Sequence, residues 1–250
     1  YAFDTKGSSS IKSRWQINSA WSASIQYPDA VTLRIRPGTL PIDASLIPYS
    51  QSIWKGESVS EDAHILLTYT GQGYISSSYS ASVVDPNYQY ARLDFVPNHT
   101  TPTVSASVTL PFFNGDWWSI SFVNNGANTL TVKNSNSNKI GFQASSSITT
   151  SNSWGTYFSS SFASGSSFAG TTYKNFTGSI QEIRYYTVAL NNTAFDNLVM
   201  NPSSIQGNNL NQSPDQLIFR AALGGELYTG STSIHPKVSG EWQTTASFVN

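Results

Sequence analysis

Carboxylates have the greatest catalytic potential in this chain of 250 residues, which contains 14 of them. Hydrolysis of a glycosidic bond needs two carboxylates about 5 to 10 Å apart, and on one strand positions i and i+2 or i+4 place both on one face. No strand-like segment of the sequence carries such a pair. Glu182 has a charged partner at this spacing, but the partner is Arg184. The sequence therefore predicts a protein that is not an enzyme.

The three histidines, His64, His99 and His235, lie in separate segments. A zinc site or a nucleophile–base arrangement would require them to converge with carboxylates, and their spacing does not indicate this. They are interpreted as surface or turn residues. The chain has no cysteine, which excludes disulfides and thiolate metal ligands.

Aromatic side chains in polar loops could stack on sugar rings while neighbouring amides bond the hydroxyls. The best candidates are Trp154 and Tyr157, in a loop rich in Ser and Gly that also contains Asn152. Trp54, predicted to lie in a turn, and Tyr74, beside a glycine, are further candidates. The alternative is that these rings cap the edges of the hydrophobic core.

The composition excludes two classes of partner. Charged residues make up 11% of the chain and the net charge is −1, so the sequence lacks the basic surface of a nucleic-acid binder or a polybasic membrane binder. No apolar stretch approaches the roughly 20 residues of a membrane-spanning helix. We therefore expect no nucleic acid partner and no membrane insertion.

Most of the chain shows the alternation of apolar and polar residues that is typical of half-buried strands. Between them, Pro, Gly and Asn provide turns. A single helix is predicted over 193–200, with Asn191 or Asn192 as its N-cap and Pro202 at its end. The pattern predicts strands at 31–35, 63–70, 89–96, 104–110, 117–133 (a hairpin), 139–144 and 180–188.

The chain divides into three parts by composition. Residues 1–202 are predicted to form one sandwich domain, and residues 203–216 are a polar linker rich in Asn, Gln and Ser. Residues 217–250 contain two further strand-like pieces. They are interpreted as a strand pair packed on the sandwich or as the start of a following module.

Two motifs resemble the laminin-G-like, or concanavalin-A-like, jelly-roll domains. Residues 176–186 read FTGSIQEIRYY, which resembles the family strand F-x-G-x-I-D-E-V-R-I-Y. Residues 114–121 resemble the strand D-G-x-W-H-x-V, although Trp118 falls one place past the family's tryptophan. The structural motif residues would be Trp118, Gly178, Ile180, Glu182 and Arg184.

The resemblance implies an all-β fold, an antiparallel two-sheet jelly-roll sandwich with a short helix near residues 193–200 and a C-terminal β extension. It also implies that Glu182 and Arg184 form a structural pair. No cofactor is required, but domains of this type often hold calcium at one rim with aspartates and carbonyl groups. Asp85 and Asp116 are weak candidates for this role, because aspartates in turns more often cap their own backbone.

Residues 215–236 are similar to stretches of long structural proteins of marine bacteriophages, in which laminin-G-like modules are embedded. We therefore expect a structural or adhesion module of a large virion or extracellular protein, such as a fibre, tail or capsid-surface component. It would lie on the virion or extracellular surface and contact other subunits of the assembly or a cell-surface glycan. The alternative is a stand-alone carbohydrate-binding, lectin-like module, with or without calcium.

Overall fold

The computed structural model describes most of the central part of the chain and short segments towards its ends. The described residues are 3–5, 13–16, 29–38, 48–57, 63–69, 89–97, 104–124, 126–136, 139–149, 159–162, 166–168, 171–186, 188–202, 217–221 and 243–244.

These residues form strands and one helix, numbered in chain order. The elements are β1 (Phe3–Thr5), β2 (Ser13–Gln16), β3 (Ala30–Pro37), β4 (Tyr49–Glu57), β5 (Ala63–Tyr69), β6 (Ala91–Val96), β7 (Ala106–Leu110), β8 (Trp118–Asn124), β9 (Asn128–Asn136), β10 (Lys139–Ile148), β11 (Ser159–Phe162), β12 (Ser166–Phe168), β13 (Thr171–Asn175), β14 (Gly178–Tyr186), α1 (Asn192–Met200), β15 (Leu217–Ala221) and β16 (Gln243–Thr244).

The first sheet has seven strands in the order β1-β14-β3-β8-β9-β10, with β15 also paired to β14. Every pair in it is antiparallel. Because β3 occupies one edge of β14, β1 and β15 share the other edge, β1 at residues 178–180 and β15 at residues 183–186. Strands from both ends of the described chain therefore complete the same sheet.

The second sheet has nine strands, with the main order β16-β2-β11-β4-β5-β6-β7. β13 pairs with β4 in parallel, beside the site where β11 pairs with β4 in the antiparallel sense, and β12 pairs with β13. The two sheets meet along one side, where the backbone N–H of Ser107 in β7 donates to Ser146 Oγ in β10, 3.2 Å away.

The core lies between the sheets and is built from alternate residues of their strands. Val31, Leu33 and Ile35 of β3 are fully buried in it, because successive side chains of a strand point to opposite faces. Arg34 and Arg36, between and after them, therefore lie on the opposite face, which we call the outer face of the first sheet. Burial of the apolar set is the main source of stability.

The helix α1 packs on the outer face of the first sheet. Asn191 is its N-cap, since its side-chain Oδ1 accepts a hydrogen bond of 2.8 Å from the backbone N–H of Ala194. Ala194 and Leu198 are buried against Ala30 of β3 and Val123 of β8. No helix in the described part of the chain is long and apolar enough to cross a lipid bilayer.

The predicted all-β jelly-roll sandwich, its short helix and its C-terminal β extension are confirmed. One segment differs from the prediction. The turn expected around Trp54 is instead the strand β4, whose pairing with β5 shifts register between Ser52 and Trp54. This irregularity breaks the period of two, and Ile53 and Trp54 are both fully buried in the core. The strand was missed because alternation cannot reveal a bulged strand.

Candidate functional site

The turn that leads into β8 carries the first cluster of polar side chains. Gly115 has a φ of +85°, which L-residues rarely adopt, and it allows a tight turn. Asn114 stabilises this turn, because its Oδ1 accepts a hydrogen bond of 2.9 Å from the backbone N–H of Asp116. The turn fixes the Asp116 carboxylate at the start of β8.

Two amide groups hold this carboxylate. Asp116 Oδ2 accepts hydrogen bonds from Asn114 Nδ2 at 2.7 Å and from Asn134 Nδ2 at 2.9 Å. Asn134 belongs to β9, and its own Oδ1 accepts from the backbone N–H of Phe142 in β10 at 2.6 Å. One side chain therefore joins three elements. We call Asn114, Asp116, Asn134 and Phe142 the rim cluster.

Phe142 lies in an irregular part of β10. The β9–β10 register shifts between Ile140 and Gln143, and the Asn134 side chain lies against the bulge. A Cβ at Gly141 would be 2.9 Å from Asn134 Oδ1, so glycine permits this approach. The ring of Phe142 is 46% exposed, and its centroid lies 6.1 Å from that of the buried Trp118. The bulge thus presents a supported aromatic ring at the surface.

The rim cluster combines a fixed carboxylate with an exposed aromatic residue. Among the described residues, no donor reaches Asp116 Oδ1, so this oxygen can accept hydrogen bonds from hydroxyl groups. The exposed ring of Phe142 offers an apolar surface nearby. At Oδ2 the carboxylate faces two amide N–H donors, and the role of Asp116 as a calcium ligand stays a prediction. No group of three His, Cys, Asp or Glu side chains that could hold a metal occurs within the described ranges.

The outer face of the first sheet carries a second cluster, centred on Glu182. Arg220 of β15 donates two hydrogen bonds of 2.9 Å to the two carboxylate oxygens, and Arg184 Nη2 lies 2.8 Å from Oε2. Glu182 itself has a φ of +53°, at the bulge where the β14–β3 register shifts. The predicted Glu182–Arg184 pair is therefore present, and a third residue extends it.

Burial shifts the pKa values of two arginines in and beside this cluster. Removal of the guanidinium from water lowers the pKa of Arg184, with Tyr186 and Glu182 opposing the effect. Burial likewise lowers the pKa of Arg34 to about 10, opposed by the charge of Glu182. Arg34 therefore remains cationic at neutral pH. Arg184 also donates to the carbonyl of Pro202 at 2.5 Å, next to the end of α1.

Trp117 lies beside this cluster on the outer face, where its ring contacts two cations. The guanidinium carbons of Arg34 and Arg36 are 5.4 and 5.3 Å from the ring centroid, within the range of cation–π attraction. Trp118, the next residue, faces the other way and is fully buried against Phe112. Trp117, just before β8, and Trp118, its first residue, thus lie on opposite faces of the first sheet, because successive side chains of an extended chain alternate.

The structure assigns most of the predicted motif residues to the scaffold. Ile180 is buried in the core. Gly178 has a φ of +151°, and an added Cβ there would collide with the carbonyl oxygen of Arg36, so this position requires glycine.

Trp54 corrects the prediction of a sugar-stacking ring. It is fully buried, its ring centroid lies 4.7 Å from that of Phe122, and its Nε1 donates to Tyr185 Oη at 3.3 Å. A ligand cannot reach a face of this ring. The other glycan candidates, Asn152, Trp154, Tyr157 and Tyr74, and the calcium candidate Asp85 lie outside the described residues.

His64 also corrects a prediction, since it is 1% exposed rather than a surface or turn residue. It lies on the outer face of the second sheet, next to Leu66, which packs with Val96 and Tyr173. The hairpin of β12 and β13 adds to this sheet beside β4. A polar residue on a strand therefore became buried through a later segment of the chain.

Sequence reasoning missed Asn134, Phe142 and Arg220. Asn134 and Phe142 lie in a polar hairpin with no motif around them, and their role depends on the bulge in β10. Arg220 is 38 residues from Glu182 along the chain, and only the pairing of β15 with β14 brings them together. The sequence did contain one signal for the outer face. Two consecutive tryptophans, at 117 and 118, in an extended segment require one of the two rings to lie outside the core.

Comparisons with models of protein families and with curated protein sequences find no match. Among solved structures, the enzymatically active domain of tailspike protein 2 of bacteriophage CBA120 matches with 13% identity and a TM-score of 0.48, over 84% of this chain and 28% of that chain. The CBM40 of the Ruminococcus gnavus IT-sialidase matches with 10% identity and a TM-score of 0.44, over 79% and 96%.

A SAP-like pentraxin from Limulus polyphemus matches with 11% identity and a TM-score of 0.41, over 82% of this chain and 81% of that chain. The chain thus spans little more than a quarter of the tailspike chain it matches. At these identities and TM-scores, no activity or ligand is transferred to this chain.

Proposed function

We propose that the protein is a non-catalytic adhesion module that binds a surface glycan, as part of a larger virion or extracellular assembly. The observation that carries this proposal is the rim cluster, in which the half-exposed residue Phe142 is joined through the Asn134 side chain to the fixed carboxylate of Asp116. Saccharide sites combine an aromatic surface for the C–H face of a sugar with a few fixed polar groups for its hydroxyls.

The rim cluster has the rigidity that such a site needs. Asp116 and Asn134 are held by hydrogen bonds across three elements, so little conformational entropy is lost when a ligand binds. Asp116 Oδ1 and the exposed edge of Phe142 are the groups that would contact the sugar. Trp154, Tyr157, Asn152 and Tyr74 are proposed as additional contacts from the polar loops.

A non-catalytic role is proposed because the two carboxylates that are buried among the described residues are bound to arginines. Glu182 is bonded to Arg184 and Arg220, and Asp94 to Arg92 and Ser107. Both oxygens of each carboxylate thus accept hydrogen bonds from side-chain donors. Release of sugar from any polysaccharide that stops in Glu182→Gln would overturn this part of the proposal.

The experiment is a glycan array on the intact chain, followed by titration of the best ligand. We expect Phe142→Ala and Asp116→Asn each to weaken binding by about tenfold, the loss of one stacking contact or one charged hydrogen bond. Val104→Ala, at another exposed apolar position, and Asp196→Asn, which removes a carboxylate from α1, are the matched controls. Trp154→Ala tests the loop contacts in the same array.

Each variant is first compared with the parent by thermal melting, so that lost binding is separated from lost folding. The titration is repeated with calcium and with a chelator, which tests the predicted role of Asp116 as a calcium ligand. Unchanged binding in both rim variants would contradict the rim site. The absence of any glycan ligand, together with assembly into a particle, would favour a purely structural role.

A further inference from the structure

The outer face of the first sheet is strongly basic. Within the described ranges it carries the cations of Arg34, Arg36, Lys133, Arg184 and Arg220. Among the side chains that the structure describes, the carboxylates that contact this set are Glu182 and Asp196; the pairing of β1 with β14 places Asp4 on the same face. The whole chain has a net charge of −1, so this excess of positive charge belongs to one face rather than to the protein as a whole.

Three of these cations have a carboxylate partner and two do not. Arg184 and Arg220 bind Glu182, and Lys133 binds Asp196 at 2.5 Å. Arg34 and Arg36 form no ion pair with any side chain that the structure describes, and the Nε of Arg34 is buried without a hydrogen-bond partner among them. A buried donor without a partner has a high free energy, which a bound acceptor would lower.

The geometry arranges these two arginines side by side. They are two residues apart on the same face of β3, which corresponds to about 6.6 Å along the strand. The ring of Trp117 contacts both guanidinium groups. It therefore restricts their motion in the ligand-free protein. Arg34 also lies opposite Gln181 of β14 and Ser119 of β8, so an amide and a hydroxyl border the pair.

We propose that Arg34, Arg36 and Trp117 bind the carboxylate or sulfate group of an acidic saccharide. Guanidinium groups bond both oxyanions through paired N–H donors, while the indole and Gln181 suit the ring and hydroxyls of the sugar that carries the charge. A polyanion such as nucleic acid would need an extended basic track, but only two free guanidinium groups are present on this described face. The inference rests on the proposed glycan binding and adds the chemical class of the ligand.

The two binding surfaces can be tested separately, because they share no residue. Asp116 belongs to the rim cluster, whereas the next residue, Trp117, contacts Arg34 and Arg36. A uronate-containing polysaccharide is compared with its carboxyl-reduced form, and a sulfated polysaccharide with its desulfated form. We expect tighter binding of the acidic member of at least one pair, with an affinity that falls as salt rises, since salt screens exposed charges.

We expect Arg36→Gln to weaken binding of the acidic saccharide by about tenfold or more and to leave binding of the neutral form unchanged. Arg34→Lys keeps the charge but loses the paired donors, so a loss in this variant separates guanidinium recognition from charge alone. Lys139→Gln, which removes an exposed cation from β10, is the matched control and is expected to bind normally.

Equal affinity for the acidic and neutral forms, or an equal loss in Lys139→Gln, would overturn this inference and leave the proposed function standing. Absence of all saccharide binding would overturn both. Inorganic sulfate is titrated alone with Trp fluorescence as the readout. If it binds as tightly as the saccharide does, the site recognises a simple anion, and the saccharide assignment is wrong.

Discussion

At the scale of single residues, the spacing of Glu182 and Arg184 predicted an ion pair, and the structure shows why it lies there. Glu182 adopts a left-handed φ in a strand bulge, and this conformation costs about 1 kcal/mol or more for a residue other than glycine. The bulge brings its carboxylate against two guanidinium groups. The contribution of Arg220 could not be predicted, because the spacing of residues along a chain does not reveal which distant strands pair.

This arrangement predicts a large effect for Glu182→Gln. The substitution leaves the buried Arg184 without its counter-charge, and the loss of one partner from a buried pair costs about 3 to 5 kcal/mol. Urea denaturation measures the change in the free energy of unfolding. Asp196→Asn is the comparison: it removes a carboxylate that is 39% exposed from the buried Lys133, and we expect a smaller loss than in Glu182→Gln, because the Glu182 carboxylate is itself buried and binds two guanidinium groups. Equal losses in the two variants would contradict a special role for Glu182.

At the scale of elements, the sequence predicted strands well where alternation was regular. β3, β5 and β8 begin and end within one or two residues of the segments expected. β4 was missed because its bulge places neighbouring residues, Ile53 and Trp54, on the same face. Alternation in the sequence indicates which face of the sheet a residue occupies. At a bulge the extra residue interrupts this alternation, so the pattern no longer identifies the strand.

The start of helix α1 gives a prediction at this scale. The sequence left Asn191 and Asn192 as alternative N-caps, and the structure selects Asn191 through its bond to Ala194. Asn191→Ala should lower the free energy of unfolding by about 1 kcal/mol, because the backbone N–H of Ala194 loses its acceptor. Asn192→Ala, at the exposed first residue of the helix, should change it little. Thermal melting of both variants decides between them, and a larger loss in Asn192→Ala would reverse the assignment.

At the scale of the whole molecule, the sheet topology bears on how the chain divides into domains. The sequence predicted one sandwich over 1–202, and left residues 217–250 as either a strand pair packed on it or the start of a following module. Composition cannot show where a later strand docks, and the structure pairs β15 with β14 in the first sheet. β15 also supplies Arg220, which carries two of the hydrogen bonds to Glu182. Strand β15 therefore contributes both backbone and side-chain bonds to the sandwich.

A chain that ends at Pro202 tests how far this contribution extends. Without β15, one edge of β14 loses its backbone partners at residues 183–186, and Glu182 retains Arg184 alone. We expect this shortened chain to unfold at a lower urea concentration than the full chain, and lower than Arg220→Gln, which removes the ion pair but keeps the strand. If the shortened chain unfolds at the same urea concentration as Arg220→Gln, β15 contributes no stability beyond that of Arg220. If it unfolds at the same urea concentration as the full chain, residues 217–221 belong to a following module, because removal of an integral edge strand lowers stability.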